Sequence, residues 1–172
     1  MTKIGKNTLS PYCKPYIIAE VGVNHEGNIK KAMLMIDQAK KSGASAVKFQ
    51  SYKADTLASK NSPSYWDLTK EKTNSQYLLF KKYDQFNVKD YLTLANYCKK
   101  KKIDFMSTPF DNSSVDFLNP LVNTYKVASA DITNFPLLKK IASKKKPIIL
   151  STGASSKKEI NETIKYLNKN GV

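Results

Sequence analysis

Apolar and polar positions along the chain fall into two rhythms that follow one another five times. A short β-branched or apolar run gives way to a polar turn, and then to a segment whose apolar residues recur at helical spacing. Strands alternating with helices in this way predict an α/β fold in which parallel strands carry helices on their outside.

The first predicted strand is Tyr16 to Glu20, entered through Pro15. From Asn28 to Lys41 the residues Ile29, Ala32, Met33, Ile36 and Ala39 share one helical face, and Gly43 ends the helix. Strand two is Ala46 to Gln50; a long polar and aromatic connection, Ser51 to Phe86, follows it, broken by Pro63 and holding a helical turn near Gln76 to Lys82. Asn87 caps a helix from Val88 to Lys101 with Tyr91, Leu94, Ala95 and Cys98 inward, and strand three is Ile103 to Ser107. A short helix over Ser113 to Leu118 leads to strand four, Thr124 to Ala128. Asn134 caps a helix with Pro136 in its first turn, strand five is Pro147 to Ser151, and Ser155 or Ser156 caps the last helix. No second domain or linker is visible, so residues 1–172 read as a single domain.

In parallel α/β folds substrates bind beyond the carboxyl ends of the strands, and here every such end is polar. Glu20 closes strand one, Lys48 and Gln50 lie in strand two, Ser107 and Thr108 end strand three, Lys126 precedes Ser129 and Asp131, and Ser151, Thr152 and Gly153 close strand five. A lysine inside an apolar strand must desolvate its ammonium unless an anion meets it. That partner is either a neighbouring acid such as Glu20 or Asp131 or a bound anion, and two such lysines at equivalent positions favour the anion. The hydroxyls of Ser107, Thr108, Ser129, Ser151 and Thr152 suit phosphate; each alone is better read as turn or cap chemistry, and only their common location at the strand ends favours the anion. Glu20 reads as a buried carboxylate that serves as base, orients water or neutralises a lysine. His25, the one histidine, reads as a loop-holding residue. The aromatic cluster Tyr65, Trp66, Tyr77, Phe80 and Tyr83 reads first as a loop core and second as a sugar-stacking lid.

Composition narrows the choice. The formal charge is +15, yet all 29 basic residues are lysine. Without arginine's planar fork the charge reads as solvated lysine faces and not as a nucleic-acid surface. Cys13 and Cys98 form no CxxC or Cys/His cluster, so neither a disulfide framework nor a zinc site is indicated. No apolar run is long enough for a membrane span, and Met1 to Cys13 lacks a signal-type apolar stretch, which places the protein in the cytoplasm.

The strings IAEVGVNHEG (Ile18 to Gly27), AVKFQ (Ala46 to Gln50), STPFD (Ser107 to Asp111), YKVASADITNFPLL (Tyr125 to Leu138) and PIILSTGAS (Pro147 to Ser155) stand in the order and approximate spacing found in N-acetylneuraminate (sialic acid) synthases, which the chain resembles over nearly its whole length. The resemblance implies a TIM (β/α)₈-type barrel, of which this chain holds about the first five βα units; the later strands and a C-terminal antifreeze-like domain are absent. It implies a transferase that joins phosphoenolpyruvate to an N-acetylated hexose such as N-acetylmannosamine with release of phosphate. By the same resemblance Lys48, Gln50, Thr108, Lys126, Ser129 and Ser151 bind phosphoenolpyruvate, while Glu20, Lys48 and Asp131 are the catalytic residues. AlaSerAla at Ala128 to Ala130 departs from the GlySerGly of the best-known neuraminate synthases and points toward another sugar branch. The family's Mn²⁺ or Mg²⁺ is bound by histidines of the later strands, so no metal ligand is expected in this chain, and the complete enzymes are homodimers. The expectation is a fragment with little activity alone, or one that meets a complementary half-barrel chain. The alternative is a non-catalytic half-barrel module that docks on a partner.

Overall fold

Apolar runs flanked by helical segments pair as parallel strands in the computed structural model, which describes residues 2–5 and 7–172. Strands β1 (Thr2–Ile4) and β2 (Asn7–Leu9) form an antiparallel hairpin. The repeating pattern then gives β3 (Ile18–Gly22), α1 (Ile29–Lys41), β4 (Ala46–Ser51), α2 (Ala54–Leu57), α3 (Gln76–Tyr83), α4 (Val88–Lys101) and β5 (Asp104–Pro109). After these come α5 (Asn112–Leu118), β6 (Tyr125–Val127), a 3₁₀ turn (Ser129–Asp131), α6 (Phe135–Ala142), β7 (Ile148–Leu150) and α7 (Lys157–Lys169). The parallel order is β3-β4-β5, with β6-β7 as a second parallel pair, and β6 packs beside β5 without a hydrogen-bonded ladder between them.

Helix starts follow local chemistry. The Asn28 side chain accepts from the Lys31 N–H at 3.0 Å, and Asn87 with Asp90 and Ser156 with Glu159 each form a reciprocal capping box. Asn134 caps α6 with Pro136 in its first turn.

Pleating divides the strands into two faces. Val21, Val47, Phe49, Phe105, Tyr125 and Val127 point to the helices and join Ala32, Ile36, Leu94, Cys98, Leu138 and Ile141 in one core. The opposite face carries the intervening residues: Glu20 pairs in register with Lys48, Lys48 with Met106, and Gln50 with Thr108.

The structure revises several boundaries. The first long strand begins at Ile18 instead of Tyr16, where the ladder with β4 starts; the Tyr16 hydroxyl donates to Asp104 Oδ2 at 2.6 Å. The same strand runs past Glu20 through a register shift to Gly22, whose φ of +56° suits glycine. Strand three extends through Thr108 and Pro109, since pairing continues along β4 to Ser51. Strands four and five are shorter at both ends than their apolar runs. The hairpin β1-β2 and the short α2 were not foreseen; both have too few residues for periodicity to register.

Leu94 is fully buried between α4 and the strands. Leu94→Ala is expected to lower unfolding stability by ~2–5 kcal/mol, measured by urea denaturation.

Candidate functional site

The face turned away from the helices gathers most of the polar residues singled out by sequence. Lys48 is 7% exposed, and its ammonium meets Glu20 Oε2 at 2.5 Å and donates to Thr108 Oγ1 at 3.2 Å. The neighbouring acid and the hydroxyl thus offset the desolvation of the charge. Glu20 itself is not the buried carboxylate expected, for its side chain is 53% exposed. Only the oxygen turned toward Lys48 is committed, because Glu20 stands on the outermost strand of its sheet.

Lys126 has different surroundings. It donates to Ser151 Oγ at 2.6 Å and to the Val127 carbonyl at 2.7 Å, both neutral, and no carboxylate among the described residues pairs with it. Burial lowers its pKa first and the Lys48 charge lowers it further, while Glu20 acts in the opposite direction. Two ammonium groups and one carboxylate therefore share one region, leaving an excess of positive charge.

Ser129 and Gly153 close the far side. A Cβ at Gly153 would stand 3.5 Å from Ser129 Oγ, so the turns after β6 and β7 are neighbours. Gln50 lies on the near side, its amide 3.9 Å from the Cβ position of Gly22 and close to Glu20.

Asp131 sits in the 3₁₀ turn. Its Oδ1 accepts from Asn134 Nδ2 at 3.0 Å, while Oδ2 is buried with no hydrogen-bond partner. Burial raises its pKa, with the Asn134 bond opposing. It faces a cavity of about 520 Å³ that Gln50 also lines. The structure therefore brings Glu20, Lys48, Gln50, Thr108, Lys126, Ser129, Ser151 and Asp131 to the carboxyl ends of neighbouring strands.

Ser107 does not join them. Its hydroxyl is buried on the helix side, 2.7 Å from Ser51 Oγ, because alternation turns it away from Thr108. The sequence reading also missed Tyr52, which lines the cavity with Phe110; its position two residues beyond Gln50 was the available signal.

The aromatic connection divides into packing and lining residues. The Trp66 indole donates to the Glu71 and Thr73 carbonyls at 3.1 and 3.0 Å and so ties its own loop together, whereas Tyr65 and Phe80 face the cavity. The buried Asp84 carboxylate anchors the loop's start, taking Lys53 Nζ at 2.6 Å and the Ala54 N–H at 3.0 Å.

His25 is 2% exposed and stacks on Phe86 at 4.1 Å. Its Nδ1 accepts from the Gly27 N–H at 3.1 Å, as a loop-holding residue would. Among the described residues no group of three or more His, Cys, Asp and Glu could hold a metal ion, and no helix is long and apolar enough to cross a membrane.

The NeuB family profile matches residues 35–172. N,N'-diacetyllegionaminic acid synthase of Campylobacter jejuni is 45% identical over 162 residues, 92% of this chain and 48% of that protein. N-acetylneuraminate-9-phosphate synthase of Drosophila melanogaster is 37% identical, over 91% of this chain and 42% of that protein. The crystal structure of N-acetylneuraminic acid (sialic acid) synthetase from Leptospira borgpetersenii, in complex with citrate, superposes with a TM-score of 0.80 at 32% identity, covering 98% of this chain and 57% of that one. The chain spans about half the length of the curated relatives it matches.

Burial lowers the His25 pKa from 6.5 to about 4, assisted by Lys31 and opposed by Glu26 and the Gly22 backbone. Between those values the unfolded chain binds more protons than the folded one, so this contribution is complete above 6.5 and is lost as pH falls toward 4. The loss amounts to at most about 3 kcal/mol. Urea midpoints followed across that window should fall in the parent chain and flatten in His25→Gln; an equally steep fall in the variant would assign the loss to carboxylates.

Proposed function

The chain belongs to the NeuB family, and on that premise we propose that it forms the phosphoenolpyruvate-binding strand ends of a nonulosonic acid synthase. In that reaction C3 of phosphoenolpyruvate bonds to the aldehyde carbon of an N-acetylated hexose, water adds at C2, and phosphate leaves. The observation that carries the reading is Lys126: a partly buried ammonium with only neutral partners, beside a second ammonium on Lys48. Such a pair is stabilised by a small anion with more than one negative charge.

In this reading Lys48 and Lys126 take the carboxylate and phosphate, and Thr108, Ser129 and Ser151 donate hydroxyl hydrogen bonds. Gln50 bounds the donor toward the acceptor. Glu20 holds Lys48 with one oxygen at 2.5 Å, and its half-exposed side chain is available to orient or deprotonate water. Asp131, raised in pKa by burial, stands next to the acceptor. The β3-to-β7 array is read as the first five units of a (β/α)₈ barrel. The divalent ion that the resemblance implies finds no donor set among the described residues, so these residues do not fit it and no step is assigned to it.

Phosphoenolpyruvate should raise the thermal midpoint of the chain by mass action. Lys126→Ala and Lys48→Met should each abolish that rise in differential scanning fluorimetry. An undiminished shift in Lys126→Ala would remove the basis of the proposal.

A further inference from the structure

The lysines are not spread evenly over the molecule. In a parallel α/β array each helix runs back against its strand, so helix C-termini gather at the amino ends of the strands, on the face opposite the mouth. The Lys40 ammonium donates to the Lys102 carbonyl at 2.7 Å and so joins the ends of α1 and α4 on that face. Lys40, Lys41, Lys99, Lys100, Lys101 and Lys102 meet there. Of the neighbouring acids, Asp37 is taken by Lys101 at 2.6 Å, and Asp104 accepts from Tyr16 and Asn7. A second cluster, Lys144 to Lys146, follows the end of α6, and the Lys145 ammonium donates to the Asn170 carbonyl at the end of α7 at 2.7 Å. Lys41, Lys99, Lys100 and Lys102 are exposed and have no carboxylate partner among the described residues. Asp90, Asp111 and Glu159, by contrast, sit at helix starts, toward the mouth.

Helix energetics alone do not account for this face. One cation in a last turn complements the helix dipole, and that effect fades beyond the turn. The lysine runs continue past it, to Lys102 at φ +56° and to Lys145 at φ +54°, in the left-handed region where a chain leaving a helix favours glycine. Both positions thus carry a charge at a conformational cost, beside like charges that repel. A surface of opposite charge relieves that repulsion. These primary amines lack the planar fork that reads phosphates and bases one at a time, and they stand on separate helix ends instead of lining one groove. That arrangement matches a broad, fluid array of phosphates. We propose that the helix-end face docks on an anionic phospholipid surface, with Lys41, Lys99, Lys100 and Lys102 as its contacts, while the strand-end mouth on the opposite side stays open to solvent. Attraction of lysines to anionic lipid accumulates residue by residue, is screened by salt and needs no apolar insertion. The proposal holds whether or not the mouth takes phosphoenolpyruvate.

Co-sedimentation of the full chain with vesicles tests it, comparing pure phosphatidylcholine with a roughly two-to-one mixture of phosphatidylcholine and phosphatidylglycerol. The chain should pellet with the mixed vesicles at low salt, stay in solution with the neutral ones, and be released as ionic strength approaches ~1 M. A variant carrying Lys99→Gln, Lys100→Gln and Lys102→Asn should bind at least about tenfold more weakly. A control carrying Lys89→Gln, Lys157→Gln and Lys158→Gln removes the same charge from exposed helix starts on the mouth side and should bind as the parent does. A second helix-end variant, Lys41→Gln with Lys102→Gly, places glycine at a left-handed position that suits it and should lose affinity in the same sense. Equal losses in the helix-end variants and the control would make the attraction one of net charge and overturn the assigned face. Binding to neutral vesicles, no binding to the mixed ones, or a preference for double-stranded DNA over mixed vesicles at equal phosphate would overturn the partner.

Discussion

The ion pair between Lys48 and Glu20 is the constraint around which the strand-end face is organised. An ammonium with 7% exposure is tolerated only because a carboxylate and a hydroxyl reach it from the strands on either side. That arrangement requires one register, with Glu20 opposite Lys48 and Thr108 two residues beyond the partner of Lys48 on β5. A slip by one residue would drive the lysine into the layer occupied by Val47 and Phe49 and turn those side chains out. The charge thus favours the same pairing of β3, β4 and β5 as the apolar core does.

From that register follows the division of labour between the two faces. Residues turned to the helices are apolar, or, like Ser51 and Ser107, satisfy each other. Residues turned the other way include the apolar Met106 and Ile149, but Glu20, Lys48, Gln50, Thr108 and Lys126 give that face its polar groups. Lys48 is neutralised locally, whereas Lys126 has neutral partners alone, so the region is electrostatically incomplete. Asp131 repeats that incompleteness in the adjoining cavity with one carboxylate oxygen. Buried polar atoms without a partner are rare in folded proteins, and Asp131 Oδ2 is one of them at the strand ends, next to an ammonium that has only neutral partners.

Much of this was legible in the sequence because it depends on local pattern. The helix caps at Asn87 and Asn134 and the five strand cores follow from short-range chemistry, while Asn28, read as the start of its helix, proves to be its cap, and of Ser155 and Ser156 it is Ser156 that caps the last one. Motif resemblance led to the NeuB family, which the comparisons establish. Properties that depend on pairing were less accessible. The facing of Ser107 changes with a single step of the pleat, and the exposure of Glu20 depends on β3 being the outermost strand. Tyr52 reaches the cavity only because the loop after β4 folds back and is pinned through Asp84. Such contacts span some thirty residues and leave no periodic trace.

Every basic residue in this chain is a primary amine, so burial and pairing are what distinguish Lys126 from Lys48. Acylating reagents attack the amine itself, so access and freedom from a carboxylate partner decide which lysine they reach first. Partial burial leaves Lys126 accessible, whereas Lys48 is shielded and clasped by Glu20. Acylating reagents should therefore discriminate between these two lysines despite their neighbouring positions, and occupancy of the anion site should shield the more reactive one.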